Sequence, residues 1–244
     1  MSTRARKSRD RAATLRREAE ERARRRRRWL VILAVGVVVA VIVGGTALLT
    51  SRDTTGQGGG AATTAPTGAD GYGVVVGDAD APKTVVIYED FQCPVCGAFE
   101  HASASQVAQG IDDGKVRVEY RVVAFLDQAS QNEYSSRAAN AAAAVLDVAG
   151  PDAFKKFHDT LYANQPAENT AGPDNDQLIE WAVQAGADRG QVTEAINSGQ
   201  FDQWVVDATD QMSKDGVTGT PTIEIDGEKL DPQTGLQRVL ALVR

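Results

Sequence analysis

Alternating apolar and polar positions predict β-strands at both ends of the C-terminal region, residues 71–244. The predicted strands are GVVV (73–76), KTVVIYED (83–90), KVRVEYRVV (115–123) and the alternating part of TPTIEIDGEKL (220–230). In the third of these, Val116 and Val118 lie on one face, which is typical of a half-buried strand. In the last, Asp226-Gly227 indicates a tight hairpin.

Apolar positions three to four residues apart predict roughly five helical segments between residues 132 and 216. The first segment ends at Gly150, a residue typical of a helix end. Asp231 and Pro232 mark the start of a last helix. Its buried positions are Leu236, Val239, Leu240 and Val243. The order strand, helix, strand, helical block, hairpin and helix predicts an α/β fold with helices on both faces of one sheet.

A different pattern occupies residues 29–49, which contain no charged residue. A helix of this length rises about 31 Å, enough to cross a bilayer core of about 30 Å. Because a buried helix of this length is seldom apolar on every face, we expect a transmembrane anchor. The alternative is a signal peptide cleaved near Gly45-Thr46-Ala47, although the apolar core of a signal peptide is usually only about 7 to 15 residues long.

The charge is divided between the two sides of this segment. Residues 1–28 carry 13 Lys or Arg and 4 acids, a net charge of +9, so the chain's total of −7 leaves −16 on residues 51–244. Positive residues beside a membrane segment stay in the cytoplasm, so we expect a cytoplasmic basic tail (1–28) and an extracytoplasmic remainder. The tail is expected to attract anionic lipid headgroups. Nucleic-acid binding is not expected, because the orientation of the membrane segment already explains the positive charge of residues 1–28.

The rest of the chain divides into a linker and one domain. Residues 50–70 are rich in Gly, Thr and Ala, lack apolar periodicity and predict a flexible linker. Residues 71–244 are enough for a single domain with its own core. The helical block makes up an insertion at about residues 130–216.

The only two cysteines of the chain, Cys93 and Cys96, lie two residues apart in YEDFQCPVCGAFEH (88–101). A structural disulfide there would close too short a loop to stabilise the fold. A metal site needs about four ligands, and only His101 and His158 could join the pair. Both histidines fall in predicted helices with surface or packing roles, so no metal is expected. Because thiols outside the cytoplasm tend to oxidise, a redox-active pair is the favoured interpretation.

The spacing of the two cysteines suits redox chemistry. If Cys93 caps a helix that begins at Pro94, Cys96 lies one turn further, about 5 Å away between Cα atoms, a distance that a disulfide can span. The positive end of the helix dipole then favours the thiolate of Cys93. Cys96 is less accessible, so we expect Cys93 to attack and Cys96 to resolve the mixed disulfide.

YEDFQCPVCGAFE, taken together with VTGTPTIEIDG (217–227), resembles the DsbA-type branch of the thioredoxin superfamily, particularly its membrane-anchored bacterial members. The resemblance covers about residues 71–244 and implies a thioredoxin-like fold with a helical insertion. It implies that Cys93 attacks, that Cys96 resolves and forms the redox disulfide with it, and that Pro221 is a cis-proline facing them. The backbone of Thr220 is then free to pair with an extended substrate peptide.

The chain departs from the family pattern at two positions. Thioredoxin-like proteins often carry a buried acid six positions before the first cysteine, where this chain has Ile87, and Glu89 and Asp90 nearby are not assigned to proton transfer. Strongly oxidising members have His between the cysteines, where this chain has Val95, which cannot donate a hydrogen bond to a thiolate. We therefore expect a pKa for Cys93 between the thioredoxin and DsbA values of about 7 and about 3.5.

The expected function is extracytoplasmic thiol-disulfide exchange that introduces disulfides into exported proteins. The resemblance implies cysteine-containing exported substrates and a membrane reoxidase of the DsbB or VKOR type, with no separate cofactor. Two alternatives remain. One is a reductase or isomerase fed by a membrane electron donor, and the other is a tethered peptide-binding module without catalysis.

Overall fold

The computed structural model describes residues 63–231 and 234–243. The predicted tail, the predicted membrane segment 29–49 and the first part of the linker lie outside these residues. Within the described ranges, no helix combines the length and the apolar character needed to cross a membrane.

A six-stranded sheet with the order β1-β2-β4-β3-β5-β6 forms the centre of the domain. Its strands are β1 (Ala69–Asp70), β2 (Gly73–Val76), β3 (Thr84–Glu89), β4 (Arg117–Val122), β5 (Thr222–Ile225) and β6 (Glu228–Lys229). β3 and β4 pair in parallel, and the other neighbouring strands pair antiparallel. A parallel pair needs a crossover connection, which here contains the helix that follows the cysteine pair.

Six α-helices and a short 3-10 helix, Asp127–Ala129, accompany the sheet in the described part of the chain. The bounds of the α-helices follow. They are α1 (Pro94–Asp112), α2 (Tyr134–Ala163), α3 (Asn175–Ala185), α4 (Arg189–Ser198), α5 (Asp202–Lys214) and α6 (Gly235–Leu242). Helix α2 is broken at Gly150, where φ is 81° and ψ is −178°, so the predicted helix end at this residue is confirmed. The last helix is described from Gly235, and the Asp231 carbonyl accepts from the N–H groups of Thr234 and Gly235. Pro232 lies outside the described residues, so the predicted start at Asp231 and Pro232 stays a prediction.

The alternation of side chains along β3 separates two apolar clusters. Val85 and Ile87 belong to the larger cluster, which includes residues of all six helices. Val86 and Tyr88 point to the other face and pack with Val123, Val217 and Met212 of α5. Helices therefore cover both faces of the sheet, and the predicted α/β architecture with a helical insertion is confirmed.

Residues 63–70, predicted as the end of the flexible linker, pack on the domain. Pro66 is buried, and the Thr67 N–H donates to Asp147 of α2 at 2.8 Å. The folded domain therefore includes these residues and does not begin at residue 71.

Candidate active site

Cys93 occupies the N-cap of α1, as the sequence predicts. Its backbone is extended (φ −71°, ψ 116°) and Pro94 takes the first helical position, where a missing N–H costs nothing. The Gly97 N–H donates to the Cys93 carbonyl at 3.0 Å and closes the first turn. The sulfur is thereby held at the N-terminal end of the helix, beside its unpaired N–H groups.

The surroundings of Cys93 stabilise its thiolate. The hydrogen bond from the Cys96 thiol is the main cause. Burial acts to raise the pKa of Cys93, whereas the Thr220 side chain and the N–H groups of Cys96 and Val95 lower it further. Together they lower the pKa of Cys93 from 9.0 to about 6. This value lies in the range expected from the sequence.

Cys96 has the opposite character. Both cysteines are free thiols here, and Cys96 is only 1 % exposed. Burial raises the pKa of Cys96 far above its ordinary value, and its hydrogen bond to Cys93 and the negative charges of Cys93 and Glu89 raise it further. At neutral pH the pair is therefore one thiolate and one protonated thiol.

The Thr220–Pro221 peptide bond is cis, as the resemblance implies. The Cys93 thiol lies 3.4 Å from the Thr220 carbonyl oxygen. The topology explains the approach, because β3 leads into the cysteine loop and pairs with β5 directly after Pro221, with Tyr88 opposite Thr222. The structure thus brings all four predicted site residues together.

A groove of about 530 Å³ runs from the cysteine loop toward α6. Its lining comprises Val95, Ala98, Phe99, residues 218–223, residues 229–231, Gly235 and Leu236. Val95 projects from the rim and is 62 % exposed. The groove is mostly apolar and has the cis-proline loop as one wall, an arrangement that suits an extended peptide.

Gln165, which the sequence analysis missed, holds the cysteine loop in place. Its side-chain amide donates to the carbonyls of Phe91 and Cys93, both at 2.9 Å. Gly97 lies so close to this amide that a Cβ there would collide with it. No local signal could have found Gln165, because it lies 72 residues after Cys93.

Asp90 organises the same loop from inside the core. Its carboxylate accepts from the Gln92 N–H (2.8 Å), the Ser135 hydroxyl (2.7 Å) and the Leu126 N–H (2.8 Å). Burial raises the pKa of Asp90 to about 6, although these hydrogen bonds act to lower it. The carboxylate fixes the path of the chain from β3 into α1.

A second group of ionisable residues lies in the core behind the pair. Glu89, Glu100 and His158 are all buried, and their side-chain ligand atoms lie within 4.8 Å of one another. His158 Nε2 is 2.6 Å from Glu89 Oε1, and Nδ1 is 3.2 Å from Asp159 Oδ1. With a carboxylate at each ring nitrogen, the ring is suited to donate at both as an imidazolium, which has no lone pair for a metal.

This group is not predicted from the sequence, which indicates only a surface or packing role for His158 and no function for Glu89. His158 does pack in the core, against the rings of Phe91, Tyr120 and Tyr162, but it is also one partner of a buried ion pair. His101 is exposed on α1.

Comparisons with known proteins agree with this geometry. A family model described as Thioredoxin matches residues 69–243. The reduced DsbA of Mycobacterium tuberculosis is 33 % identical, with a TM-score of 0.60 over 71 % of this chain and 100 % of that one.

Two curated proteins show different contexts for the same segment. Disulfide bond formation protein D of Bacillus subtilis is 27 % identical over 62 % of this chain and 67 % of its own length. The serine/threonine-protein kinase PknE of Mycobacterium tuberculosis is 29 % identical over 62 % of this chain, but the match spans only 28 % of the kinase.

Proposed function

The chain belongs to the thioredoxin family, in its DsbA-like branch, and from this premise we propose that it is a protein disulfide oxidoreductase that introduces disulfides into exported proteins. The two sulfurs of the Cys-Pro-Val-Cys sequence are the reacting atoms. The catalytic domain that carries this pair is proposed to act outside the cytoplasm.

One observation carries the proposal: two adjacent thiols in one site have opposite acidities. The pKa of Cys93 is lowered to about 6, whereas that of Cys96 is raised far above its ordinary value. A thiol with a low pKa is a good leaving group, so a disulfide that contains Cys93 is readily passed on. The buried Cys96 thiol stays protonated at neutral pH.

The reaction follows from these acidities. A substrate thiolate attacks Cys93 in the oxidised pair, the Cys93–Cys96 bond breaks and Cys96 leaves with the electron pair. The second thiolate of the substrate then attacks the mixed disulfide, forms the substrate's disulfide and releases Cys93 as a thiolate. The enzyme ends with two reduced cysteines, and the substrate has lost two electrons.

The groove beside the pair is proposed to hold the substrate chain. Its apolar lining would take side chains next to the substrate cysteine, and the backbone of Thr220 beside the cis-proline would pair with the extended peptide. The Val95 side chain has no polar atom, so it contributes apolar contact to the peptide, and only the Val95 N–H donates to the thiolate.

The location and the redox partner rest on the sequence. Residues 29–49 and the basic residues before them support a membrane anchor with the catalytic domain on the outer side. The oxidising cycle needs an electron acceptor, and we propose a membrane reoxidase of the DsbB or VKOR type.

The decisive experiment mixes the oxidised protein with a reduced, unfolded protein that contains two cysteines. We expect one substrate disulfide per oxidised pair and no product with Cys93→Ser or with Cys96→Ala, because a single cysteine holds no disulfide to pass on. A Cys93→Ser variant that fully complements a deletion strain would instead favour a binding module.

The direction of transfer is measured by equilibration with glutathione. A reduction potential above roughly −250 mV supports the oxidase, and a lower value favours the reductase or isomerase. Trapping on Cys96→Ala in cells identifies the substrates and shows whether they are exported proteins.

A further inference from the structure

The cis-proline loop, residues 215–221, connects the end of α5 to the start of β5. Its Thr220 carbonyl lies 3.4 Å from the Cys93 thiol, and the loop forms one wall of the groove. Gly216 and Gly219 both belong to this loop, and glycine restricts the backbone less than any other residue. A fixed position of Thr220 therefore requires contacts from outside the loop.

The two ends of the loop are held by different elements. At the C-terminal end, Thr222 pairs with Tyr88 of β3, the strand that leads to the cysteine pair. At the N-terminal end, the Val217 N–H donates to the Met212 carbonyl at 3.0 Å, so the loop starts where the end of α5 places it. The position of Thr220 therefore depends on how the end of α5 is fixed relative to β3.

Asp215, the residue that follows α5, fixes this end of the helix to the sheet. Its Oδ2 accepts from the Tyr88 hydroxyl at 2.9 Å and from Arg121 Nη1 at 3.0 Å. Its Oδ1 accepts from the side-chain amide of Gln211 at 2.8 Å. Met212 packs against the same face of the sheet, but apolar packing is not directional, whereas these hydrogen bonds define one orientation.

Tyr88 is the residue that connects both ends of the loop. It lies opposite Arg121 of β4 on one side and opposite Thr222 of β5 on the other. Its hydroxyl donates to Asp215 and accepts from Arg121 Nη1 at 2.6 Å. Burial and the hydrogen bond to Asp215 raise the pKa of Tyr88 to about 12, against the lowering effect of Arg121, so the phenol keeps the proton that it donates.

The orientation of Arg121 is itself fixed. Its Nε donates to Glu119 on the same strand at 2.6 Å, and its guanidinium carbon lies 5.1 Å from the centre of the Tyr88 ring, within the range of a cation–π contact. The side chains of Arg121 and Asp215 are only 30 % and 28 % exposed. A partly shielded ion pair of this kind interacts more strongly than one in bulk water.

These contacts lie away from the reacting sulfurs. Tyr88 belongs to the apolar cluster on one face of the sheet, whereas Cys93 and Cys96 belong to the cluster on the other face. Lys229 of β6 adds a contact to the Gly216 carbonyl at 3.0 Å, but from an exposed side chain. Any effect of the Asp215 contacts on the sulfurs must therefore pass through the cis-proline loop.

We propose that Tyr88, Arg121 and Asp215 form a clasp that positions Thr220 beside Cys93 and keeps the groove in shape for the substrate peptide. The inference rests on the proposed function and deepens it by naming positioning residues that set substrate binding without touching the substrate. Loss of the clasp loosens the end of α5 and the loop that follows it. Thr220 then spends less time where it can pair with the peptide and stabilise the thiolate.

The first test measures disulfide transfer from the oxidised full-length protein to an excess of a reduced, unfolded protein with two cysteines, over a range of substrate concentrations. With Asp215→Ala, we expect the half-saturating concentration to rise roughly tenfold, the equivalent of one hydrogen bond to the peptide. The maximal rate should change by less than about twofold, because both sulfurs keep their places on α1. Reduction by dithiothreitol, which has no peptide backbone to pair with Thr220, should also stay within about twofold of wild type.

The second test titrates the Cys93 thiolate by its ultraviolet absorbance. Asp215→Ala should raise the midpoint, because Thr220 helps to lower the pKa of Cys93. In Thr220→Val this contribution is already lost, so adding Asp215→Ala should then move the midpoint much less than it does in wild type. A residue that only stabilised the fold would not show this dependence on Thr220.

Two controls separate the clasp from general effects of charge and stability. Asp210→Ala removes an exposed acid of α5 and should behave as wild type. Gly150→Ala strains the break in α2 and should leave the half-saturating concentration and the midpoint unchanged. Tyr88→Phe removes only the hydroxyl and keeps the ion pair of Arg121 with Asp215, so it should shift both measurements in the same direction as Asp215→Ala, but less.

Each outcome decides one point. A wild type that passes no disulfide to the substrate would overturn the proposed function, while the titration, which needs no substrate, still decides the clasp. If wild type is active and Asp215→Ala keeps its half-saturating concentration and midpoint, or shifts the midpoint equally in Thr220→Val, only the clasp is overturned. Should Asp215→Ala not fold, Tyr88→Phe replaces it in both tests: shifts in both measurements support the clasp, and wild-type values refute it.

Discussion

The acidity of Cys93 depends on a few hydrogen bonds to one sulfur atom. The largest contribution comes from the Cys96 thiol, and the Thr220 side chain and two helix N–H groups supply the rest against the opposing effect of burial. Charge-assisted hydrogen bonds of this kind are stronger than neutral ones. Since the main donor is the other cysteine, forming the disulfide removes it.

Removal of these donors should raise the pKa of Cys93 one step at a time. In wild type, the ultraviolet absorbance of the thiolate should titrate with a midpoint of about 6. We expect a higher midpoint in Thr220→Val and a still higher one in Cys96→Ala. A wild-type midpoint above 8, or an unchanged midpoint in Cys96→Ala, would contradict the assigned hydrogen bonds.

Gln165 should affect stability through the two carbonyls that it satisfies. Gln165→Leu leaves the partly buried carbonyls of Phe91 and Cys93 without this donor, so we expect a loss of about 1–3 kcal/mol in the free energy of unfolding. Urea unfolding measures the change. The control Gln109→Leu, at an exposed position on α1, should stay within about 0.5 kcal/mol of wild type, and equal losses would refute the role of Gln165.

The predictability of single residues depends on how far apart in sequence their partners lie. Cys93 and Cys96 are apparent from their spacing, and Pro221 from the short sequence around it. The Glu89–His158 pair is separated by 69 residues, and neither residue lies in a pattern that marks it as charged and buried. Only the packing of α2 against β3 and α1 brings such groups together.

At the scale of helices and strands, strong local sequence patterns were sufficient to predict the element. The Asp226-Gly227 hairpin forms as predicted, with φ of 50° and 82° at these residues, and the caps of α3 and α4 are aspartates whose side chains accept from the first turn. Strand β1 has only two residues, too few for any alternation. Residues 63–70 lack periodicity as well, and tertiary contacts such as Thr67 to Asp147 hold them in place.

The break in α2 is the element-level feature most directly set by one residue. Gly150 adopts φ 81° and ψ −178°, a combination that is essentially restricted to glycine. A Cβ there would meet no atom within 4 Å, so any cost of Gly150→Ala is conformational. We expect a loss of about 1–3 kcal/mol in the free energy of unfolding.

Gly114→Ala provides the matched control for this break. Gly114 also has a positive φ, 66°, and open space around it, but this φ suits the left-handed helical region, where a side chain costs about 1–2 kcal/mol. Urea unfolding should therefore show a larger loss for Gly150→Ala than for Gly114→Ala. A neutral Gly150→Ala would mean that the helix can continue through this position.

At the scale of the whole molecule, the redox site is coupled to the stability of the fold. A structural disulfide stabilises a protein because it restricts the unfolded chain. Here the loop is too short for much of that effect, and the reduced form gains the ionisation of Cys93 instead. The folded domain therefore favours the dithiol form, which is the property that makes a disulfide oxidising.

This coupling predicts a pH dependence with a definite sign. The pKa of Cys93 falls from 9.0 to about 6 on folding, so its stabilisation is complete above pH 9, declines as the pH falls and is absent below about pH 6. A change of this size corresponds to about 4 kcal/mol. Asp90, Glu100 and His158 also titrate in this range, and all three are kept in the variant. Asp90 is coupled to Cys93, whose charge acts to raise the pKa of Asp90, but burial is the main cause of that shift.

The measurement compares the reduced wild type with Cys93→Ser in urea, at intervals from pH 6 to 9 and with a phosphine reductant. We expect the stability of wild type relative to the variant to rise with pH by about 3 kcal/mol across this range. Cys96 stays protonated in both folded proteins and ionises in both unfolded chains only near pH 9, so it cancels. A difference that is flat or falls with pH would show that folding does not favour the Cys93 thiolate, and the oxidising role proposed for the pair would lose its thermodynamic basis.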